Sequence, residues 1–118
     1  MATWAHGLRN EVGLAFDGAG VLWGVENGAD NLYRADIGGD VHNDNPGEEL
    51  NKFDVEGQFF GYPQCWSEHT LAASYAQGQG AQWAWPSFSS TYSDAWCREE
   101  ANVRRPAAVM GAHTAPLG

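Results

Sequence analysis

Gly7-Leu8-Arg9-Asn10-Glu11-Val12-Gly13-Leu14-Ala15-Phe16-Asp17, followed after Gly18-Ala19-Gly20 by Val21-Leu22-Trp23-Gly24-Val25-Glu26-Asn27-Gly28-Ala29-Asp30, reads as an antiparallel hairpin. Val12, Leu14 and Phe16 alternate with smaller residues, which predicts a strand with one buried face. Val21, Trp23 and Val25 alternate in the same way. The Asp-Gly-Ala-Gly link between them is turn chemistry, because glycine reaches positive φ without steric cost. Polar residues mark both open ends, with Arg9-Asn10 entering the first strand and Glu26 to Asp30 leaving the second. A hairpin brings these ends together, so the two polar groups are expected to converge.

Composition narrows the partners. Six basic residues stand against 15 acidic ones, a formal net charge of −9. Nucleic acid and anionic membrane surfaces both require basic patches, so neither is an expected partner. Nine of the acids lie between Glu26 and Glu56, where Arg34 and Lys52 are the only basic residues. That stretch reads either as a solvated face or as a rim that attracts cations. No run approaches the roughly 20 apolar residues that cross a bilayer, and no basic-then-apolar leader follows Met1. Cys65 and Cys97 are the only cysteines and belong to no CxxC pair, which makes zinc a poor reading. A disulfide closing the Trp- and Ser-rich segment between them is expected, implying an oxidising compartment. Two buried thiols are the alternative.

The hairpin motifs resemble the soluble glucose/sorbosone dehydrogenase family. The resemblance rests on Gly-Leu-Arg-Asn (7–10), Gly-Leu-Ala-Phe-Asp (13–17), the Leu22-Trp23 strand and Asn-Gly-Ala-Asp-Asn (27–31). It extends to Gly47-Glu48-Glu49-Leu50-Asn51, Gly57-Gln58-Phe59-Phe60-Gly61-Tyr62-Pro63 and His113-Thr114-Ala115-Pro116-Leu117-Gly118. Within that family the sequence is most similar to fungal pyranose dehydrogenases dependent on pyrroloquinoline quinone (PQQ). The resemblance implies an all-β chain forming part of a six-bladed β-propeller. At about 40–45 residues per blade, 118 residues hold two to three blades. Residues 1–63 are then the family-matching blade region, 64–105 a long loop insertion and 106–118 the start of a further strand. The chain is expected to be a fragment, or a truncated gene model, of a secreted enzyme.

By the same resemblance, Arg9 and Asn10 face PQQ, and His113 lies toward the cofactor cavity in a hydrogen-bonding role. A guanidinium suits the carboxylates and quinone oxygens of PQQ because its donors form a planar fork. The rival reading pairs Arg9 with Glu11 or Glu26. Gly28 and Ala29 take the positions whose main-chain carbonyls bind Ca2+, a hard ion that prefers oxygen ligands. The glucose-specific relatives carry proline where this chain has Ala29. The family oxidises a sugar by hydride transfer to the quinone, with a histidine base from an earlier blade. His6 is therefore read as structural, and the general base is expected outside this chain. Implied partners are a sugar and an external electron acceptor such as a haem domain or protein.

Elsewhere, His42-Asn43-Asp44-Asn45-Pro46-Gly47 brushes against a calcium-loop pattern that fails at Pro46-Gly47. Glu48 and Glu49 are expected to position a return strand, and Phe59 to Pro63 to pack at a blade corner with Gly61 at the bend. Residues 66–96 show no lasting period, with Gln77-Gly78-Gln79-Gly80 as a flexible tip. Trp83 and Trp85 either anchor this loop or stack on sugar. Glu99-Glu100 and Arg104-Arg105 are expected to form exposed pairs. Two rival functions remain: a non-catalytic propeller segment, and a small carbohydrate-binding module using Trp83 and Trp85.

Overall fold

A computed structural model describes residues 2–115, so Pro116, Leu117 and Gly118 of the late histidine motif lie outside the described residues. A short strand β1 (Ala5–His6) precedes the hairpin, which consists of β2 (Glu11–Phe16) and β3 (Leu22–Glu26). Next come β4 (Tyr33–Arg34), a 3-10 turn (Ala35–Ile37), β5 (Gly39–Asp40) and the long return strand β6 (Glu48–Phe53). Then follow β7 (Gln58–Phe59), β8 (Cys65–Ser67), β9 (Gln82–Ala84), a 3-10 turn (Pro86–Phe88), helix α1 (Asp94–Arg98) and β10 (Ala108–Met110). Among the described residues the structure is all-β apart from these short helical turns.

The centre is a four-stranded antiparallel sheet of order β10-β6-β3-β2. Its hairpin turn is built by Asp17: one carboxylate oxygen accepts the amides of Ala19 and Val21, and the other accepts the Trp23 indole N–H at 2.8 Å. Gly20 completes the turn at φ +82°. Three two-stranded pieces surround the sheet: β1 with β7, β4 with β5, and β8 with β9. Among the described residues there is thus one four-stranded unit where chain length allowed two to three. Residues 54–107 go into loops and short pieces instead of further full strands.

The faces of this sheet are inverted relative to the usual pattern. Cross-strand partners share a face, and the register pairs Gly24 with Asn51 and Glu26 with Glu49. These four residues are buried, as is Phe53 beyond them. The opposite face carries Trp23, Val25 and Leu50 and borders an open recess of about 530 Å³. Strand β2 departs from the expectation of a buried apolar side. Val12, Leu14 and Phe16 are 39%, 61% and 72% exposed. The strand lies at the sheet edge, and a register shift between Glu11 and Gly13 breaks its alternation.

The hydrophobic core sits largely in the stretch read as an insertion. Leu32, Ile37, Trp66, Leu71 and Trp83 form one cluster, and Cys65, Ala84, Cys97 and Val103 a second. Cys65 and Cys97 are joined in a disulfide, with a Cα–Cα separation of 5.9 Å. Trp66 and Trp83 stack with ring centroids 6.0 Å apart. The guanidinium groups of Arg34 and Arg98 lie over the Trp83 ring, 5.3 and 4.3 Å from its centroid. Trp83 also donates to the buried Glu68 carboxylate at 2.9 Å and is 5% exposed. It therefore has no face left for a sugar, which removes it from the carbohydrate-binding alternative. Arg34 is held in turn by a two-point ion pair with Asp94 at 2.6 and 3.0 Å. Arg104 and Arg105 do not pair with Glu99 and Glu100. Arg104 reaches Asp54 and Gln58, and Arg105 donates to the Gly80 carbonyl.

Candidate functional site

The two ends of the hairpin converge as their polarity suggested. Asn27 N–H donates to the Asn10 carbonyl at 3.0 Å, which extends the β2–β3 ladder beyond the strands and sets residues 9–10 beside 27–28. From there the Arg9 guanidinium donates to the Gly28 carbonyl at 2.8 Å and to the Asn27 carbonyl at 3.4 Å. Its other terminal nitrogen lies 3.5 Å from Asp30. The rival pairing of Arg9 is met only by its backbone, whose N–H donates to Glu26 Oε2 at 2.8 Å. One open recess is bordered by Arg9, Asn10, Gly28, Asp30, Glu48 and His113. It gathers four of the five residues expected at a cofactor and its metal. Ala29 lines two neighbouring recesses, both of which it shares with Arg9.

Strand β6 fixes the loop that carries Gly28. Glu48 Oε2 accepts the Gly28 amide at 3.1 Å, while Oε1 accepts the His113 amide at 3.3 Å. A Cβ on Gly28 would stand 3.2 Å from the Gly47 carbonyl, so the loop runs close to the strand. The His113 ring bonds the His42 carbonyl through Nε2, and its Nδ1 lies 3.7 Å from Asp30. Asp30 thus bridges Arg9 and His113. Asp30 was not singled out from sequence, and Glu48 was expected only to position the return strand. Asp30 had a signal in its place within the Asn-Gly-Ala-Asp run. The hold of Glu48 on the Gly28 loop had no signal of its own, because it depends on the register of β6 against β3.

Beside this site lies a row of carboxylates, of which Glu26 and Glu49 are buried and Glu11 is half-buried. Glu11 and Glu26 pair across β2–β3, and Glu26 and Glu49 across β3–β6. Burial pushes Glu11 up to about 7, with the nearby Glu49 charge adding to the shift. Glu26 and Glu49 are also raised well above the ordinary carboxylate range, chiefly by burial and then by a neighbouring carboxylate. Ser67 Oγ and Asn51 Nδ2 donate to Glu49, and Asn51 reaches Glu11 as well. Gly24 leaves space for Glu11, since a Cβ there would fall 2.0 Å from its carboxylate.

The donor set fits a hard cation. Among the described residues no group of three or more His, Cys, Asp or Glu side chains is arranged to hold a metal. An ion here must rely on main-chain and amide oxygens. The Gly28 carbonyl already accepts a cationic group, and Asn27 Oδ1 is buried without a hydrogen-bond partner among the described residues. The carboxylate of Asp30 is 59% exposed beside them. Oxygen donors of this kind suit Ca2+.

The TrAA12-like family model matches residues 2–118. A pyrroloquinoline quinone-dependent pyranose dehydrogenase of Coprinopsis cinerea is 36% identical over 121 residues, covering 95% of this chain and 16% of the relative. A pyrroloquinoline quinone-dependent sugar dehydrogenase of Hypocrea jecorina (strain QM6a) is 38% identical over 121 residues, covering 94% and 27% respectively. Among solved structures, the calcium structure of a Trichoderma reesei family AA12 carbohydrate-active enzyme superposes with a TM-score of 0.84 at 36% identity, covering 96% of this chain and 29% of that one. The holo form of the Coprinopsis cinerea pyranose dehydrogenase PQQ domain gives 0.84 at 33% identity, covering 98% and 30%. The chain spans less than a third of the length of each of these relatives.

Proposed function

This chain belongs to the TrAA12-like family, and from that premise we propose that it forms one wall of the cofactor site of a sugar dehydrogenase using PQQ and calcium. The four-stranded sheet is then one blade of a six-bladed β-propeller whose other blades come from the rest of the protein. The observation that carries this reading is the meeting of the Arg9 guanidinium and the Gly28 carbonyl at 2.8 Å in one recess. A fork of donors and a main-chain oxygen at one point suit an anionic quinone and its metal.

When bound, PQQ supplies the hydride acceptor and calcium the Lewis acid that polarises it. The residues of this chain do the holding. Arg9 offers its planar donors to carboxylate or quinone oxygens, and its charge stabilises negative charge that develops there. Asn10 supplies a neutral polar contact beside it. The carbonyls of Gly28 and Ala29 hold the cation, with Asn27 Oδ1 as a further oxygen. Asp30 and His113 brace Arg9, and Glu48 fixes the loop from below. The general base comes from outside residues 1–118, so this stretch by itself does not catalyse. An external electron acceptor completes the turnover. The Cys65–Cys97 disulfide supports an extracellular setting, since such bonds persist under oxidising conditions.

Titrating the full-length protein with PQQ at saturating calcium, followed by the absorbance of the quinone, tests this reading. Wild type should bind with a saturable spectral change, and Arg9→Ala should weaken binding at least tenfold. A wild-type titration with no spectral change rejects the reading.

A further inference from the structure

Of the six basic side chains in the sequence, four pair with aspartates: Arg9, Arg34, Lys52 and Arg104, at 3.5, 2.6, 3.8 and 2.7 Å. The other two, Arg98 and Arg105, meet no carboxylate among the described residues, although Glu99 and Glu100 follow Arg98 directly in the chain. Both are exposed, and both line one cleft of about 150 Å³ that Gln77, Ala81 and Gln82 complete. We propose that this cleft binds a small dianion of the phosphate class, held between the two guanidinium groups. It shares no lining residue with the recesses around Arg9, so the proposal stands apart from the quinone-and-calcium reading.

The two cations differ from ordinary solvated arginines in how they are held. Each is anchored through Nε: Arg98 donates to the Gln82 carbonyl at 3.1 Å and Arg105 to the Gly80 carbonyl at 3.0 Å. Their terminal nitrogens make no hydrogen bond among the described residues. Arg98 is fixed further by its place over the buried Trp83 ring, 4.3 Å from the centroid. The two accepting carbonyls lie two residues apart at the entry to β9, so one stretch of backbone positions both side chains. That stretch is set in turn by Glu68. Its buried carboxylate accepts the amides of Gln77 and Gly78 and the Trp83 indole N–H, and it does not line the cleft.

Like charges facing one cleft repel, and an anion between them removes that cost. The free terminal nitrogens of a guanidinium form a planar set of donors that matches phosphate oxygens. Two positive charges also match a dianion better than the single charge of a carboxylate. The cleft is smaller than the roughly 300–1,000 Å³ of drug-sized pockets, which suits the anionic group itself. In a chain of net charge −9, a general attraction for anions does not account for binding here.

Isothermal titration of the full-length protein with sodium phosphate, before any quinone is added and at constant ionic strength, tests the proposal. Wild type should take up phosphate saturably, and Arg9→Ala should retain that binding within twofold. Arg105→Gln should weaken it at least tenfold. Arg98→Lys, which keeps the charge but not the planar fork, should weaken it severalfold. Arg105 lies outside the core clusters, so its variant decides the matter if Arg98→Lys does not fold. Methyl phosphate separates the sources of the ligand. Comparable binding assigns the cleft to a phosphate ester, and binding of inorganic phosphate alone assigns it to the free ion. Equal affinity in wild type and Arg105→Gln, or no saturable uptake, overturns the site. Loss of binding in Arg9→Ala but not in Arg105→Gln overturns it too, by placing the anion beside Arg9.

Discussion

Arg9 stands where three recesses meet, bordering the one it shares with His113, a cleft walled by Tyr62, Trp85 and Phe88, and a small cavity lined by Glu26 and Glu49. Its position follows from two short-range facts. Its own amide is anchored to Glu26, and its guanidinium reaches across the open hairpin end to Gly28. Glu49 is one of three glutamates here, with Glu11 and Glu26, whose protonation is shifted toward neutral pH or above. Its ordinary value is 4.5, and burial beside other carboxylates raises it. The folded state therefore keeps a proton that the unfolded chain has lost. The resulting stability is complete below about pH 4.5 and declines as pH climbs through the raised values of Glu11, Glu49 and Glu26. Thermal melts should show Tm falling from pH 5 to pH 8. Glu49→Gln, which stays neutral, should flatten that slope and gain on the order of 2 kcal/mol at pH 8 relative to wild type. An unchanged slope would place the titrating group elsewhere.

At the scale of elements, the hairpin and the segment between the cysteines behave differently. The hairpin was legible because alternation over five or six residues and an Asp-Gly turn are strong local signals. The region around β8, β9 and α1 was not. Its strands are three residues long and its helix five, too short for any period to register. Long-range links hold it: the disulfide, the Arg34–Asp94 ion pair, and the Asp94 carboxylate accepting the Ala84 amide at 2.8 Å. The disulfide spans a sequence separation of 32. Closing a loop of that length in the unfolded chain is worth about 3–4 kcal/mol in the chain-entropy model. Reduction, or a Cys65→Ser/Cys97→Ser pair, should lower denaturant stability by about that amount. A change below about 1 kcal/mol would mean that packing alone orders this segment.

The whole molecule presents a contradiction that its fold resolves only in part. Its radius of gyration is 13.8 Å, against about 13.5 Å for a compact domain of this length. Yet the central sheet turns its carboxylates inward and leaves Leu14 and Phe16 largely in solvent. If the rest of a propeller covers this exposed edge, the same substitution should have two different costs. In the isolated 118-residue chain, Leu14→Ala or Phe16→Ala should cost less than about 0.5 kcal/mol. In the full-length protein each should cost about 2–4 kcal/mol, the range for truncating a packed core side chain. Equal small costs in both, measured by denaturant unfolding, would show that the edge stays open.

Local chemistry in the sequence determined the hairpin, its turn, and the arrival of Arg9-Asn10 beside Asn27-Gly28, because neighbouring strands joined by a short turn have little choice of partner. Motif likeness added the family. Tertiary structure decided the rest. It showed that Trp83 is buried against Trp66 and two guanidinium groups while Trp85 borders a cleft, although the two residues are only two apart in the chain. It also showed that Glu48 anchors the Gly28 loop and that three other glutamates meet beside it. Burial and contact between residues far apart in sequence depend on how strands and loops pack in three dimensions, and no local pattern of apolar and polar residues encodes that packing.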